Sequence, residues 1–185
     1  MSFDGFNSPV PEHAALHYWS SGWNVLPLVG KRPKLKTWRR WISERQTEET
    51  MMRWMYDLNL FVDMEKDNVG IILGKVSGGL VVIDLDGDAA VKEFYQRFPD
   101  LTKTLTVETG SGHGLHLYYQ CQNTETVRMK GFEVRGDGCY VVAPPSIHPD
   151  TGWTYNHRTS PLYDVATLEV DAVRDWIRSH RPKPD

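Results

Sequence analysis

The stretch Gly79-Leu80-Val81-Val82-Ile83-Asp84-Leu85-Asp86-Gly87 is an apolar strand that ends on two carboxylates separated by one residue. Side chains alternate across a strand, so Asp84 and Asp86 project from one face while Ile83 and Leu85 enter a core. Two anions held side by side repel unless a proton or a cation lies between them. Hard oxygen ligands on a rigid element suit Mg²⁺ or Mn²⁺. The same residues admit a structural reading, because Asp-Gly-Asp after a strand is a common turn, with Asp88 as N-cap of a helix over residues 89–98.

Outward from this strand, residues 69–73 form a second apolar run, and the intervening Gly74-Lys75-Val76-Ser77-Gly78-Gly79 has the composition of a hairpin turn. Strands over 104–109 and 115–121, around residues 110–114, read as another hairpin. So do 132–135 and 139–143, around Gly136-Asp137-Gly138. Toward the N-terminus the pattern predicts a helix over 11–21 that stops at Gly22, a strand over 23–28, and helices over 38–44 and 47–57, the last capped by Thr47. A short strand over 153–156 and a helix over 170–179 complete the order. Together these elements predict an α+β fold, a mostly antiparallel sheet carrying helices. Residues 1–10 read as a loose segment, 11–180 as a single domain, and 181–185 as a linker-like tail that marks either a natural end or a cut before another domain.

A chain of 185 residues is long enough to bury a sizeable core. Its formal net charge of -3 argues against coating nucleic acid by bulk charge and leaves only a local basic groove, while seven Trp and eight Tyr supply rings for stacking. Cys121 and Cys139 stand far apart with no C-x-x-C, so they read as reduced core residues, and neither a disulfide framework nor zinc is expected. No apolar run approaches a membrane span, and no leader pattern opens the chain, which gives a cytoplasmic expectation.

Three further segments carry chemistry. Thr109-Gly110-Ser111-Gly112-His113-Gly114-Leu115-His116 is a glycine-rich hairpin whose backbone N–H groups, with Ser111 and His116, suit an anion such as phosphate. Its glycine spacing excludes a dinucleotide fingerprint, and a plain flexible turn is the alternative. His113 reads as an exposed loop residue. Glu133 and Arg135 lie two apart on one strand face, where a surface ion pair is the simple explanation. Beyond them Pro144-Pro145 ends a strand and presents Ser146 and His148. Finally, Lys31, Arg32, Lys34 and Lys36 precede Trp38, and cations interleaved with aromatics suit phosphates and unstacked bases as well as an ordinary solvated charge run.

In order, these segments resemble the primase-polymerase domain of the archaeo-eukaryotic primase superfamily, in the branch found in plasmid, phage and mobile-element replication proteins. The resemblance rests on Gly22, Pro27, Lys31, Pro33 and Trp38; on Gly70-Ile71 through Gly74 and Ser77; and on the D-x-D pair Asp84 and Asp86. It continues through an S-G-x-G-x-H motif at Ser111, Gly112, Gly114 and His116, and through Tyr140 to Ser146 as Tyr-Val-Val-Ala-Pro-Pro-Ser. It implies an RRM-like catalytic core and template-directed addition of nucleotides to a 3′-hydroxyl in DNA replication. Two Mg²⁺ or Mn²⁺ ions would be held by Asp84, Asp86 and Glu133, with Glu133 standing where many relatives have Asp and Asp137 as the fallback third acid. Ser111, Gly112, Gly114, His116, Arg135 and Lys31 would bind the triphosphate, and Arg32, Lys34, Lys36, Trp38, Ser146 and His148 are DNA-contact candidates. Implied partners are template and primer DNA, dNTP or NTP, and a downstream helicase or helical domain. The cysteine-rich zinc insertion of some relatives is missing, so nucleotide addition is implied more directly than initiation. A catalytically idle single-stranded DNA or origin-binding module and a metal-dependent nuclease are the competing readings.

Overall fold

The computed structural model describes residues 8–158 and 163–180, so most of the segment 1–10 and the tail 181–185 lie outside it. In chain order the elements are α1 (Pro11–Ser20), β1 (Asn24–Val29), β2 (Arg32–Pro33), α2 (Glu48–Met52), β3 (Asp67–Ile72), β4 (Leu80–Leu85), α3 (Asp88–Arg97), β5 (Thr106–Glu108), β6 (Leu115–Gln120), β7 (Val127–Met129), β8 (Phe132–Arg135), β9 (Tyr140–Ala143), β10 (Asn156–His157), β11 (Ala166–Thr167) and α4 (Asp171–Ser179). A smaller sheet has the order β2-β1-β3-β9, and a larger one β10-β5-β6-β4-β8-β7, with β11 beside β6. All these pairings are antiparallel except β6 with β11, so the architecture is α+β, antiparallel sheets flanked by helices.

Two of the three expected hairpins do not form. β3 and β4 belong to different sheets, and only an isolated bridge between Gly74 and Leu80 joins their ends. β8 pairs with β4 and β9 pairs with β3, so the second connection crosses between the sheets in the opposite direction. The two crossings are clasped by Asp137: the Lys75 N–H donates to Oδ1 (2.9 Å) and the Thr124 hydroxyl to Oδ2 (2.6 Å). Glycine-rich turns look alike whether the chain returns to the same sheet or passes to another. What separates the cases here is that β3 and β4 are each buried along their whole length and so need partners on both sides. The β5–β6 hairpin does form.

Local helix expectations also shift. The segment after the basic loop is a 3₁₀ turn, Trp38–Ile42, and α2 runs into a π turn, Arg53–Asp57. Thr47 does cap α2, its Oγ1 accepting from the Thr50 N–H at 3.2 Å. Asp88 is not the cap of α3, because Gly87 takes that place with φ 92° and Asp88 opens the helix. The strand expected over 153–156 is reduced to β10 and a bridge between Ile147 and Thr154.

Alternate residues of β4 serve two cores. Leu80 and Val82 join the inter-sheet core with Val25, Ile71, Val141 and Tyr118, to which α1 adds Ala14, Ala15 and Tyr18. Val81, Ile83 and Leu85 pack with Phe94 of α3 and Val173 and Ile177 of α4. A fully buried Val, Ile or Leu side chain is worth roughly 1.5–3 kcal/mol, so a one-residue slip of β4 would forfeit several such contributions and push Asp84 among the helices. Cys121 is a free, buried thiol whose pKa is pushed up to about 11, chiefly by burial, and Cys139 is free and partly buried.

Candidate active site

Register places three polar side chains in a row across the larger sheet. Asp84 on β4 stands opposite His116 on β6 and opposite Glu133 on β8, and directly paired residues share a face. This face looks toward the smaller sheet, since Asp84 continues the line of Leu80 and Val82. Arg135, one row away, reaches back: its Nη1 donates to Asp84 Oδ2 at 3.0 Å, and its Nε lies 3.6 Å from Glu133 Oε2. His116 Nε2 stands 3.4 Å from Asp84 Oδ1.

Asp84 is only 8% exposed. Burial by itself would raise its carboxyl pKa, but His116 and Arg135 outweigh that and hold it at about 2. Burial lowers the Arg135 guanidinium, and Asp84 and Glu133 reverse the effect, leaving it raised. Asp86 follows the end of β4, its N–H donating to the Gly131 carbonyl at 3.0 Å. Its carboxyl is raised, first by partial burial and then by repulsion from Asp84.

Both aspartates line a cavity of about 170 Å³ between the sheets. His116 and Arg135 share its wall with them. The smaller sheet contributes Lys31 from the β1–β2 turn and Tyr140, Val141 and Val142 from β9, while Thr109 and Ser111 enter from the β5–β6 loop. The Ser111 and Thr109 hydroxyls lie 2.8 Å apart. Gly114 lets that loop press onto the end of β4, since a Cβ there would come within 2.6 Å of Thr109 Oγ1 and 2.9 Å of the Leu85 carbonyl.

The site therefore gathers Lys31, Asp84, Asp86, Ser111, His116 and Arg135 from five separate stretches of chain. Glu133 does not line the cavity; its carboxylate meets Arg135 instead. Asp137 is removed to the inter-sheet clasp. Two DNA-contact candidates have their polar atoms engaged by internal groups. Lys34 donates to the Leu60 carbonyl and pairs with Asp67, and Ser146, 1% exposed, accepts from the Val69 N–H and donates to the Val69 carbonyl. Trp38 is half-buried, edge-on to Tyr140 at 5.3 Å, whereas Arg32 and Lys36 are exposed.

His148 is buried and lines the cavity rather than a surface. Its Nδ1 accepts from the Asp150 N–H at 3.2 Å, and burial followed by the Lys31 charge pushes its pKa down, so the ring is neutral near pH 7 with Nε2 carrying the proton. Tyr155, which sequence reasoning did not single out, has its ring 6.1 Å from both His116 and His148. Its only local signal is one of two aromatic residues in the short segment 153–156, which says nothing about a ring contact with His116 on β6.

A family model described as bifunctional DNA primase/polymerase, N-terminal, matches residues 15–176. The chain belongs to the Prim-Pol family. No curated protein matches it in sequence. The matched span contains every cavity residue named above, so the Prim-Pol assignment and the inter-sheet site concern the same part of the chain. It places the protein with primase/polymerase nucleotidyltransferases that act on DNA and nucleotides. Among the described residues no helix is long and apolar enough to cross a membrane.

Prim-Pol enzymes are metal-dependent in general, and the donor set here fits such an ion in a particular way. Among the described residues no three acid, histidine or cysteine groups converge into a cage. Two hard carboxylates share one cavity, and the one that faces outward, Asp86, is destabilised as an anion by its neighbour. That arrangement suits a divalent cation which completes its shell with water and substrate oxygens.

Proposed function

We propose that this Prim-Pol domain extends a DNA primer under template direction, joining the 3′-hydroxyl to the α-phosphate of a nucleoside triphosphate in the cavity between the two sheets. The observation that supports this best is the polarity of the cavity: Asp84 and Asp86 occupy one wall together with His116 and Arg135, and Lys31 and Ser111 face the same space. Acids suited to a cation and donors suited to phosphates thus adjoin within about 170 Å³.

When bound by Asp84 and Asp86, Mg²⁺ or Mn²⁺ supplies Lewis acidity toward the attacking hydroxyl and the departing pyrophosphate. Arg135 and His116 keep Asp84 ionised and aimed into the cavity. Ser111, the loop amides and Lys31 hold the triphosphate, and neutral His148 donates from Nε2 to the same group. Glu133 serves as a positioning residue, orienting Arg135 from outside the cavity. Tyr155 keeps the His116 and His148 rings in place.

A second reading is a single-stranded DNA-binding module without catalysis. It draws on the engagement of both Asp84 oxygens by Arg135 and His116, which a metal must share. Primer extension separates the two, run with Mg²⁺ and with Mn²⁺, with dNTPs and NTPs apart, and with and without primer. The parent should lengthen labelled primer, and Asp86→Ala, an exposed position, should abolish this with an unchanged melting temperature. An Asp86→Ala variant that extends at the parent rate refutes the proposal, and a parent that shortens the primer makes the site a nuclease.

A further inference from the structure

Next to the catalytic cavity lies a larger groove of about 550 Å³, and Thr109 lines both. One loop divides them: Ser111 faces the cavity with the aspartates, while Gly112, His113 and Gly114 wall the groove. Packed beside that loop, Trp153 also lines the groove and is 62% exposed although it is among the largest apolar side chains of the protein. We propose that this groove binds the nucleoside half of the incoming nucleotide, with the base stacked on Trp153 while the phosphates occupy the cavity beyond Thr109. The inference rests on the polymerase reading of that cavity and adds where the rest of the substrate goes.

Trp153 is mounted rigidly for an exposed residue. Its carbonyl accepts from the His148 N–H (2.8 Å) and its own N–H donates to Thr151 Oγ1 (3.1 Å), while the Thr151 hydroxyl donates to the Gly110 carbonyl. The turn carrying the indole is therefore tied to the glycine loop that reaches the aspartates. The inner edge of the indole lies against Gly112, where a Cβ would come within 2.3 Å of the ring and where φ is +82°, so the loop admits the indole only because that residue has no side chain. A ring fixed on one edge and open to solvent is a platform that loses little entropy on stacking.

The charges of the groove choose the occupant. Asp88 is paired with His113 (3.1 Å) and Glu108 with Arg158 (3.5 Å), so among the described residues the groove has no surplus of cations for the phosphates of a DNA strand. What it presents is the ring, Thr154 and Asn156 beside it, and carboxylates able to accept from sugar hydroxyl or base amino groups. That chemistry fits a nucleoside whose own phosphates are held next door.

Titration calorimetry with Mg²⁺ and two probes, dATP and inorganic tripolyphosphate, tests this on the parent chain, Trp153→Ala and Trp153→Phe. Trp153→Ala should weaken dATP about 5- to 150-fold, the equivalent of ~1–3 kcal/mol per stacked base. Tripolyphosphate affinity should stay within about twofold, and Trp153→Phe should restore most of the dATP affinity. Equal dATP affinity in parent and Trp153→Ala overturns the inference. So does a Trp153→Ala variant that loses affinity for a short single-stranded oligonucleotide while keeping dATP, which would assign the indole to the DNA strand. A parent that binds neither probe refutes the cavity reading and this one together. A parent that binds dATP through Trp153 yet extends no primer refutes the polymerase reading alone.

Discussion

Replacing Asp84 by Asn tests whether the partners of this carboxylate outweigh the cost of burying it. Asp84 is 8% exposed, and its carboxyl stands at about 2 against an ordinary 3.8 because His116 and Arg135 overcome desolvation. Each tenfold change in a protonation equilibrium corresponds to ~1.4 kcal/mol, so the interval amounts to roughly 2 kcal/mol. The sign follows from the direction. A carboxyl lowered in the folded state adds stability that is complete above 3.8 and is lost as pH falls toward about 2. Asn resembles the protonated acid in shape and charge, and so never has this contribution. Urea unfolding with a chelator present, from pH 6 down to pH 2, should therefore find the parent more stable than Asp84→Asn by about 2 kcal/mol at pH 6, with the gap closing toward zero near pH 2. A gap that does not change with pH refutes the reasoning. So does an Asn variant that is the more stable at pH 6, because desolvation would then exceed the attraction of Arg135 and His116.

The remaining predictions concern Lys34 and Glu133. Lys34→Met should destabilise the protein by about 3 kcal/mol, since it leaves Asp67, 8% exposed, without its cation. This is a fall of roughly 6–12 °C in melting temperature, and affinity for single-stranded DNA, measured where the variant is folded, should be unchanged; an unaltered melting temperature with lost DNA affinity would return Lys34 to the nucleic-acid surface. Glu133→Gln should lower primer extension without changing the Mn²⁺ concentration at half-maximal rate, because Glu133 meets Arg135 and not the cavity; a raised Mn²⁺ requirement would make it a ligand.

The reach of the sequence differed between residues for physical reasons. The D-x-D pair was legible because strand alternation is a local rule and places Asp84 and Asp86 on one face whatever the strand pairs with. The Ser111 to His116 loop was legible for a similar reason, as glycines at a hairpin expose backbone donors before any tertiary contact exists. The internal partner of Lys34 was not legible, because an exposed cation and a cation over a buried carboxylate look the same in a charge run, and only Asp67, arriving on β3, distinguishes them. The same holds for Ser146: the Pro-Pro break is local, but the Val69 backbone groups that take up its hydroxyl come from another strand.

By itself the sequence determined the longer strands and helices, the α+β class and the shared face of Asp84 and Asp86, all of which depend on periodicities and turn chemistry within short windows. Tertiary structure alone decided that β3 and β4 part into two sheets, that Arg135 stands between Asp84 and Glu133, and that Tyr155 and His148 close the cavity. Those outcomes are set by which strand must cover which buried face, and that competition is settled only when the whole chain is packed.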